Sequence, residues 1–445
     1  MSAPTPVRSR RDRLPPRLLP VLYFGCAHAA LLTAFALTAL EPRAIAGFFY
    51  HDRMAALVHL VTLGWISLSI LGALYIVGPM ALRMPMPAGP LDYGIWAMLV
   101  IGIIGMASHF WIGEYGGMAW SAGLAATSFT LMAVLVLRRL RPVPLARPVK
   151  LHIALAFLNV LGAATMGVLL AIDKVHHFLP GYVLTNVFAH AHLAAIGWAC
   201  LLVVGMSYRL LPMVLPAAMP EGPGLYASAV LLETGAVGLF CALLAESRLT
   251  VLFGLVTIAG FGAFFRQVLW MRRHPRPAPA GRPQPDYGVR HVTAAFVYLA
   301  LACITGLALA ISPPSDWMLR AALLYGIFAL IGFLAQIIVG IQARILPIFA
   351  WYHAFAGTDF QGPVDPPNAM TWPALQEKAF YLWLFGVPSL AGGFCFDAIP
   401  FLAAGAWMLL AATVLNAMHD ALILRHAWRK GRPSQNPPFP SRVVT

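Results

Sequence analysis

The sequence has few charged residues, and acidic residues are the scarcest of them. Asp and Glu number 16 and Lys and Arg 30 among 445 residues, so charged residues make up 10% of the chain, while hydrophobic residues make up 60%. Soluble domains usually carry about 25% charged residues. A water-soluble fold is therefore excluded, because such a fold cannot bury so much apolar surface.

Signatures of nucleotide, hydrolytic and cysteine-based metal sites are also missing. There is no glycine-rich phosphate loop, and the notable carboxylates inside apolar runs are Glu233 and Asp420, each a single functional group or a hydrogen-bonded packing residue. The cysteines have no C-x-x-C spacing, and we assign them to packing. They are Cys26, Cys200, Cys241, Cys303 and Cys395.

What the sequence does have is twelve long apolar runs. A helix that crosses the hydrocarbon core of about 30 Å needs about 20 apolar residues. Buried strands are excluded because the runs are too long and do not alternate. The sequence therefore predicts an all-α integral membrane protein of about 12 transmembrane helices, forming one polytopic domain over residues 1–445. The runs cover residues 18–40, 54–80, 92–113, 116–137, 151–172, 185–213, 225–245, 249–271, 291–312, 318–349, 377–399 and 401–424.

The distribution of basic residues predicts the orientation. The first apolar run has full spanning length and no clear cleavage site, so it is expected to remain as a helix. With a cytoplasmic N-terminus, only five of the thirty Lys and Arg residues fall in outer loops. The positive-inside rule then places both termini and a linker at 274–289 on the cytoplasmic side of a bacterial inner membrane. The net charge of +14 thus reflects orientation in a lipid bilayer, and no nucleic-acid partner is expected.

An internal repeat divides the chain into three units. The second run reads HLVTLGWISLSILGALYIVGPM from His59, and the sixth reads HLAAIGWACLLVVGMSYRLLPM from His192, with Gly, Trp, Gly, Tyr and Pro-Met at the same spacings. The tenth run keeps both glycines and the proline but has Ile327 in place of the histidine. The copies are offset by 133 and 135 residues, which predicts three pseudo-repeated four-helix units at 18–137, 151–271 and 291–424.

Histidines mark the candidate site. Under this topology seven of the fourteen lie in the outer half, all in the first two units, which predicts one outer site between those units. His59, His190 and His192 are the candidate cofactor ligands, since neutral imidazole binds haem iron and copper; the alternative for each ring is an interhelical hydrogen bond. Adjacent His176 and His177 are candidate metal ligands in an outer loop. The inner-face histidines expected to be solvated or lipid-facing are His353, His419 and His426.

The segment from His190 to Pro212 resembles the haem-binding tenth helix of the haem-copper oxidase catalytic subunit I, especially of cbb-type oxidases and nitric oxide reductases. In that family an H-x-H pair is followed by Gly-Trp, glycine, tyrosine and proline at these intervals, and twelve helices form three units. The resemblance implies that His192 and His59 ligate a low-spin haem and that His190 ligates the active-site haem. The NnrS membrane proteins are a second similar family.

The chain departs from the oxidase pattern in three respects. The H-x-H pair is on the sixth helix, whereas the tenth helix has Tyr325 and Ile327; the seventh helix lacks the copper-binding histidines; and the cross-linked tyrosine has no counterpart. The expected function is a haem- or copper-binding membrane protein in electron transfer, nitric oxide or oxygen response, or metal handling, with a cytochrome or other redox protein as partner. The alternatives are a cofactor-free membrane transporter and an oxidase assembly or scaffold protein.

Overall fold

The computed structural model describes residues 14–278, 282–313, 315–355 and 366–428, and these residues are predominantly helical. Twelve long helices occur in the described ranges. Their bounds are α1 Leu18–Leu40, α2 Asp52–Ala81, α3 Pro90–Ile112, α4 Met118–Leu140, α5 Arg147–His176, α6 Val183–Val214, α7 Gly224–Leu244, α8 Leu249–Arg273, α9 Tyr287–Ile311, α10 Asp316–Phe355, α11 Pro373–Cys395 and α12 Ile399–Leu424. The predicted linker at 274–289 includes residues 279–281, which lie outside the described residues.

Eleven of these helices are long and apolar enough to cross a membrane. The prediction of an all-α integral membrane protein is confirmed by these helices. The predicted number of spans was about twelve, one more than the eleven candidate spans. The exception is α11, which has 23 residues but begins with the polar sequence Gln376, Glu377 and Lys378 and contains Pro388. These polar residues shorten the apolar stretch of α11.

The helix pairs α3–α4, α7–α8 and α11–α12 pack closely through small residues. A Cβ atom added to Gly102 of α3 would lie 2.8 Å from the backbone oxygen of Ser121 on α4, and one added to Gly393 of α11 would clash with the Leu402 backbone on α12. Small residues at such contacts are typical of membrane helices, because the backbones must approach for van der Waals packing. The outer faces carry exposed apolar side chains such as Trp120 and Phe401, as contact with lipid requires.

Helices α2, α6 and α10 form the centre of the molecule. The share of buried residues in their most apolar windows is 78%, 56% and 61%, against 50% or less in the other eight candidate spans. They surround a cavity of about 70 Å³ to which each contributes five residues. Counted from His59, His192 and Ile327, those residues fall at positions 10, 11, 14, 15 and 18 in every helix.

Two tryptophan side chains link the central helices. Trp198 of α6 donates a hydrogen bond to Ser67 Oγ of α2 at 3.0 Å, and Trp65 of α2 donates to the backbone oxygen of Ala335 of α10 at 3.4 Å. In the same counting, both donors are at position 6 and both acceptors at position 8. The same two positions of the repeat therefore form the contact in both pairs of helices.

Candidate functional site

The predicted ligands lie where the central helices change their winding. In α2 the chain is α-helical to His59 and π-helical over Leu60–Ser67; in α6 it is α-helical to His192 and π-helical over Leu193–Cys200. Helix α10 has the same change at Ile327–Ala335. π-helical turns are rare and are frequent at functional sites. The two histidines thus occupy the last α-helical position before the change.

The three histidine rings are held in one tautomer by backbone carbonyls. Nδ1 of His59 lies 2.7 Å from Ala55 O, Nδ1 of His192 lies 2.8 Å from Phe188 O, and Nδ1 of His190 lies 3.0 Å from Ala163 O on α5. A carbonyl oxygen only accepts hydrogen bonds, so Nδ1 carries the proton in each ring. The lone pair of each neutral ring is then on Nε2, which is the arrangement that metal-ligating histidines use.

His59 and His190 are brought together by α2 and α6. Their rings are close enough for their charges to interact. The His59 ring stacks on Phe110 of α3, with centroids 5.0 Å apart and an angle of 25° between the planes. His190 packs over Gly167 of α5, where an added Cβ would lie 3.1 Å from its Cε1 atom. Both imidazoles are therefore fixed in orientation from outside the pair.

His192 has a different neighbour. Its Nε2 atom lies 3.2 Å from the hydroxyl of Tyr325 on α10, and the two rings stack with centroids 5.8 Å apart. Since Nε2 holds the lone pair, Tyr325 is the donor. The oxidase resemblance implies that His59 and His192 share a ligand, which stays a prediction; in the structure the Nε2 atom of His192 accepts a hydrogen bond from Tyr325.

The residues near His59 and His192 have related positions in the repeat. His190 and Tyr325 each stand two positions before the equivalent place on the next central helix; His190 lies near His59, and Tyr325 contacts His192. The corresponding positions of the third pair of helices are Ile327 and Leu57, which are both apolar. Polar side chains are thus confined to two of three equivalent positions. The sequence analysis noted Tyr325 only as a departure from the oxidase pattern. Its position two residues before Ile327, which matches that of His190 before His192, could have identified it.

The outer-loop histidines do not join this group. His176 ends α5 and His177 follows it with a positive φ of 49°, and both are exposed. Among the described residues there is no group of three or more His, Cys, Asp or Glu side chains able to hold a metal ion. Metal binding by these two residues therefore remains a sequence-based prediction.

The structure corrects the placement of one inner histidine. His419 is only 3% exposed and lies against Asp420, whereas it was expected to be solvated or lipid-facing. The other carboxylate noted in the sequence, Glu233, accepts a hydrogen bond of 2.6 Å from Asn159 Nδ2. Glu233 therefore has the character of a hydrogen-bonded packing residue, and Asp420 belongs to a larger polar cluster.

Compared with known proteins, the chain matches no protein-family model and has no significant match among curated proteins. The functional argument therefore depends on the geometry of the histidines.

Proposed function

We propose that this protein binds haem within the membrane and transfers electrons, with His59 and His190 as the ligands of the iron. The observation that carries the proposal is that two part-buried imidazoles on central helices are each held by a backbone carbonyl through Nδ1 and lie near enough for their charges to interact. Each ring keeps the lone pair of its Nε2 atom for a ligand. When bound, the haem would supply one-electron redox chemistry.

The donor set fits haem better than a bare metal ion. Haem iron takes four ligands from its own macrocycle, so axial ligands from the protein complete it. A structural metal ion such as zinc takes four ligands from the protein, and the described residues offer no group of three or more suitable side chains. Copper is the alternative that the sequence leaves open, and it requires the same two imidazoles to be joined by a further donor.

We also propose that three four-helix units are arranged around an approximate three-fold axis, as in the haem-copper oxidase subunit. Three observations support this arrangement: the equivalent positions that line the central cavity, the π-helical segment in each central helix, and the tryptophan hydrogen bonds in matching register. The termini are proposed to be cytoplasmic, on the strength of the basic-residue distribution.

A transport function has no comparable support. The side chains that line the central cavity are mostly aliphatic, and none of them is charged. A scaffold function predicts that the fold persists without any cofactor, which the following experiment measures.

The test is the haem and copper content of the purified full-length protein, produced with an ample haem supply. We expect a Soret band in the wild type, its loss in His59→Ala and His190→Ala, and its retention in His192→Ala, because Tyr325 rather than the ligand holds that ring. His274→Ala is the matched control, because His274 is an exposed histidine outside both groups of candidate ligands. Wild-type protein without haem, or unchanged haem in both ligand variants, would contradict the proposal; copper in place of haem, lost in the same two variants, would redirect it to a copper site.

A further inference from the structure

A second group of ionisable side chains is buried on α1, α9 and α12; helix α12 packs against α1 and lines one cavity together with α9. It consists of His28 on α1, His291 on α9, and His419 and Asp420 on α12, and each of the four is at most 6% exposed. An ionisable side chain inside a membrane span is costly and marks a functional site by default. Four of them in one region are not explained by the proposed haem site, to which none of them belongs.

Three members of the group, His291, His419 and Asp420, border a small polar cavity of about 10 Å³, which is room for about one water molecule. Its lining includes His291, Gln342, Gln376 and Asp420. The amide Nε2 of Gln342 is buried without a hydrogen-bond partner among the described residues. A polar lining and an unpaired donor are the conditions under which a cavity of this size holds water.

Beside the cavity, the third central helix lacks a tyrosine that the other two central helices have. At position 16 of the repeat, α2 has Tyr75, which donates a 2.7 Å hydrogen bond to Asp92, and α6 has Tyr208, which lies 2.7 Å from the Ser228 hydroxyl. Helix α10 has Ala343 at this position, and Ala343 lines the cavity. The third unit thus has a small side chain next to a water-sized cavity, where the other two units have a phenol ring.

The contact between His28 and Asp420 requires a proton. Nδ1 of His28 lies 2.9 Å from the carbonyl oxygen of Phe24, so Nδ1 is the donor and a neutral ring has its lone pair on Nε2. That Nε2 faces Asp420 Oδ2 at 3.5 Å. A lone pair opposite a carboxylate oxygen is repulsive, whereas a proton on either atom makes the contact attractive. Neither atom has another hydrogen-bond partner within the described ranges.

Asp420 contacts one further imidazole, and few other charged side chains lie near it. His419 Nδ1 lies 3.2 Å from Asp420 Oδ1. Helix α9 turns Tyr287 and His291 to the cavity, while the lining residues of α10 and α11 that carry polar side chains, Gln342 and Gln376, are uncharged. No Lys or Arg is among the residues that line the cavity. The charge of the carboxylate is therefore balanced by imidazole and proton.

We propose that His28 and Asp420 share one exchangeable proton, which reaches them through water in the cavity beside Ala343. Tyr287 is the first residue of α9, and Asp420 lies about one turn before the end of α12, so the site is close to one membrane surface. The proton comes from solvent water and returns to it, and no electron transfer or covalent bond to carbon is involved. The site is a proton-binding site separate from the proposed haem site.

The first test is difference infrared spectroscopy of the full-length protein during a pH change, combined with a count of the protons bound. We expect a carboxyl signal that disappears in Asp420→Asn and shifts in His28→Gln, together with an altered proton count in both. Glu233→Gln is the matched control, since it removes another carboxylate of a membrane span and should leave this signal in place. A wild-type signal and proton count that neither cluster variant changes would overturn the proposal.

The second test does not remove any member of the cluster. Ala343→Tyr places in α10 the residue that the other two central helices carry, and the ring is expected to displace the water from the cavity. Deuterium exchange of the Asp420 carboxyl should then be slower than in the wild type, and Ala343→Ser, which keeps the cavity open, should exchange as the wild type does. Equal exchange in Ala343→Tyr and wild type would exclude access through this cavity.

Discussion

Replacing Ser69 with valine is expected to stabilise the protein, although it removes a polar group. Ser69 lies on α2 at the wall of the central cavity, is 1% exposed, and has a hydroxyl without a hydrogen-bond partner within the described residues. The equivalent positions of the other central helices are Leu202 and Ile337, so an apolar side chain already fits twice at this place.

The magnitude follows from two contributions. Removing an unsatisfied buried hydroxyl relieves a cost of about 1 kcal/mol, at the lower end of the usual range. The cavity of about 70 Å³ costs about 1.7 kcal/mol at roughly 24 cal/mol per Å³, and valine fills only part of it. Together these give a stabilisation of about 1–2 kcal/mol for Ser69→Val.

The assay is equilibrium unfolding in mixed micelles, supported by thermal unfolding in detergent. Ser128→Val is the matched control, because Ser128 is also buried but its hydroxyl donates a 2.8 Å hydrogen bond to Ile95 O. There the same substitution should destabilise the protein by about 1–3 kcal/mol, since the carbonyl loses its donor and the added methyl group has no cavity to enter. If Ser69→Val is as destabilising as the control, the central cavity is not the unfilled space that the structure indicates.

Three further predictions concern other contacts. Tyr325→Phe removes one interhelical hydrogen bond while keeping the ring, so it should cost about 0.6 kcal/mol of stability and leave the haem content unchanged; loss of haem would instead make this tyrosine part of the ligand site. Arg139→Ala leaves the buried Asp92 without its ion pair at 3.2 Å and should cost about 3 kcal/mol in unfolding experiments, and a neutral result would mean that the pair is solvated. Cysteine at Ala278 should resist a membrane-impermeant thiol reagent in intact cells, whereas cysteine at Tyr182 should react; the reverse pattern would invert the topology.

The membrane class and the course of most helices are readable from the sequence because they depend on local properties. Spanning length and apolar composition are local, and the observed helices begin and end within a few residues of most predicted runs. The largest differences are at the ends, where α5 and α10 extend beyond their runs as Arg147–His176 and Asp316–Phe355. Polar residues continue these helices because hydrogen bonding within a helix does not stop where the apolar composition does.

The candidate site was predictable in its residues but not in its contacts. The repeat frame identifies His59, His190 and His192 as unusual, since a histidine inside an apolar run is visible in one dimension. Which rings come near each other is set by the rotation and offset of neighbouring helices; in the structure His190 lies near His59, and Tyr325 donates a hydrogen bond to His192. The change to π-helical winding alters which residues face the neighbouring helices. A regular helix of 3.6 residues per turn does not predict that change.

What the sequence determined by itself is therefore the environment and the periodicity. Composition requires a bilayer, and the spacings from His59 and His192 predict related helices. Only the tertiary structure decided that His28 and Asp420, almost 400 positions apart in the chain, face each other at 3.5 Å, and that a polar cavity lies beside Asp420. Such contacts join residues from different helices, and they depend on how whole helices pack, which no local pattern of side chains specifies.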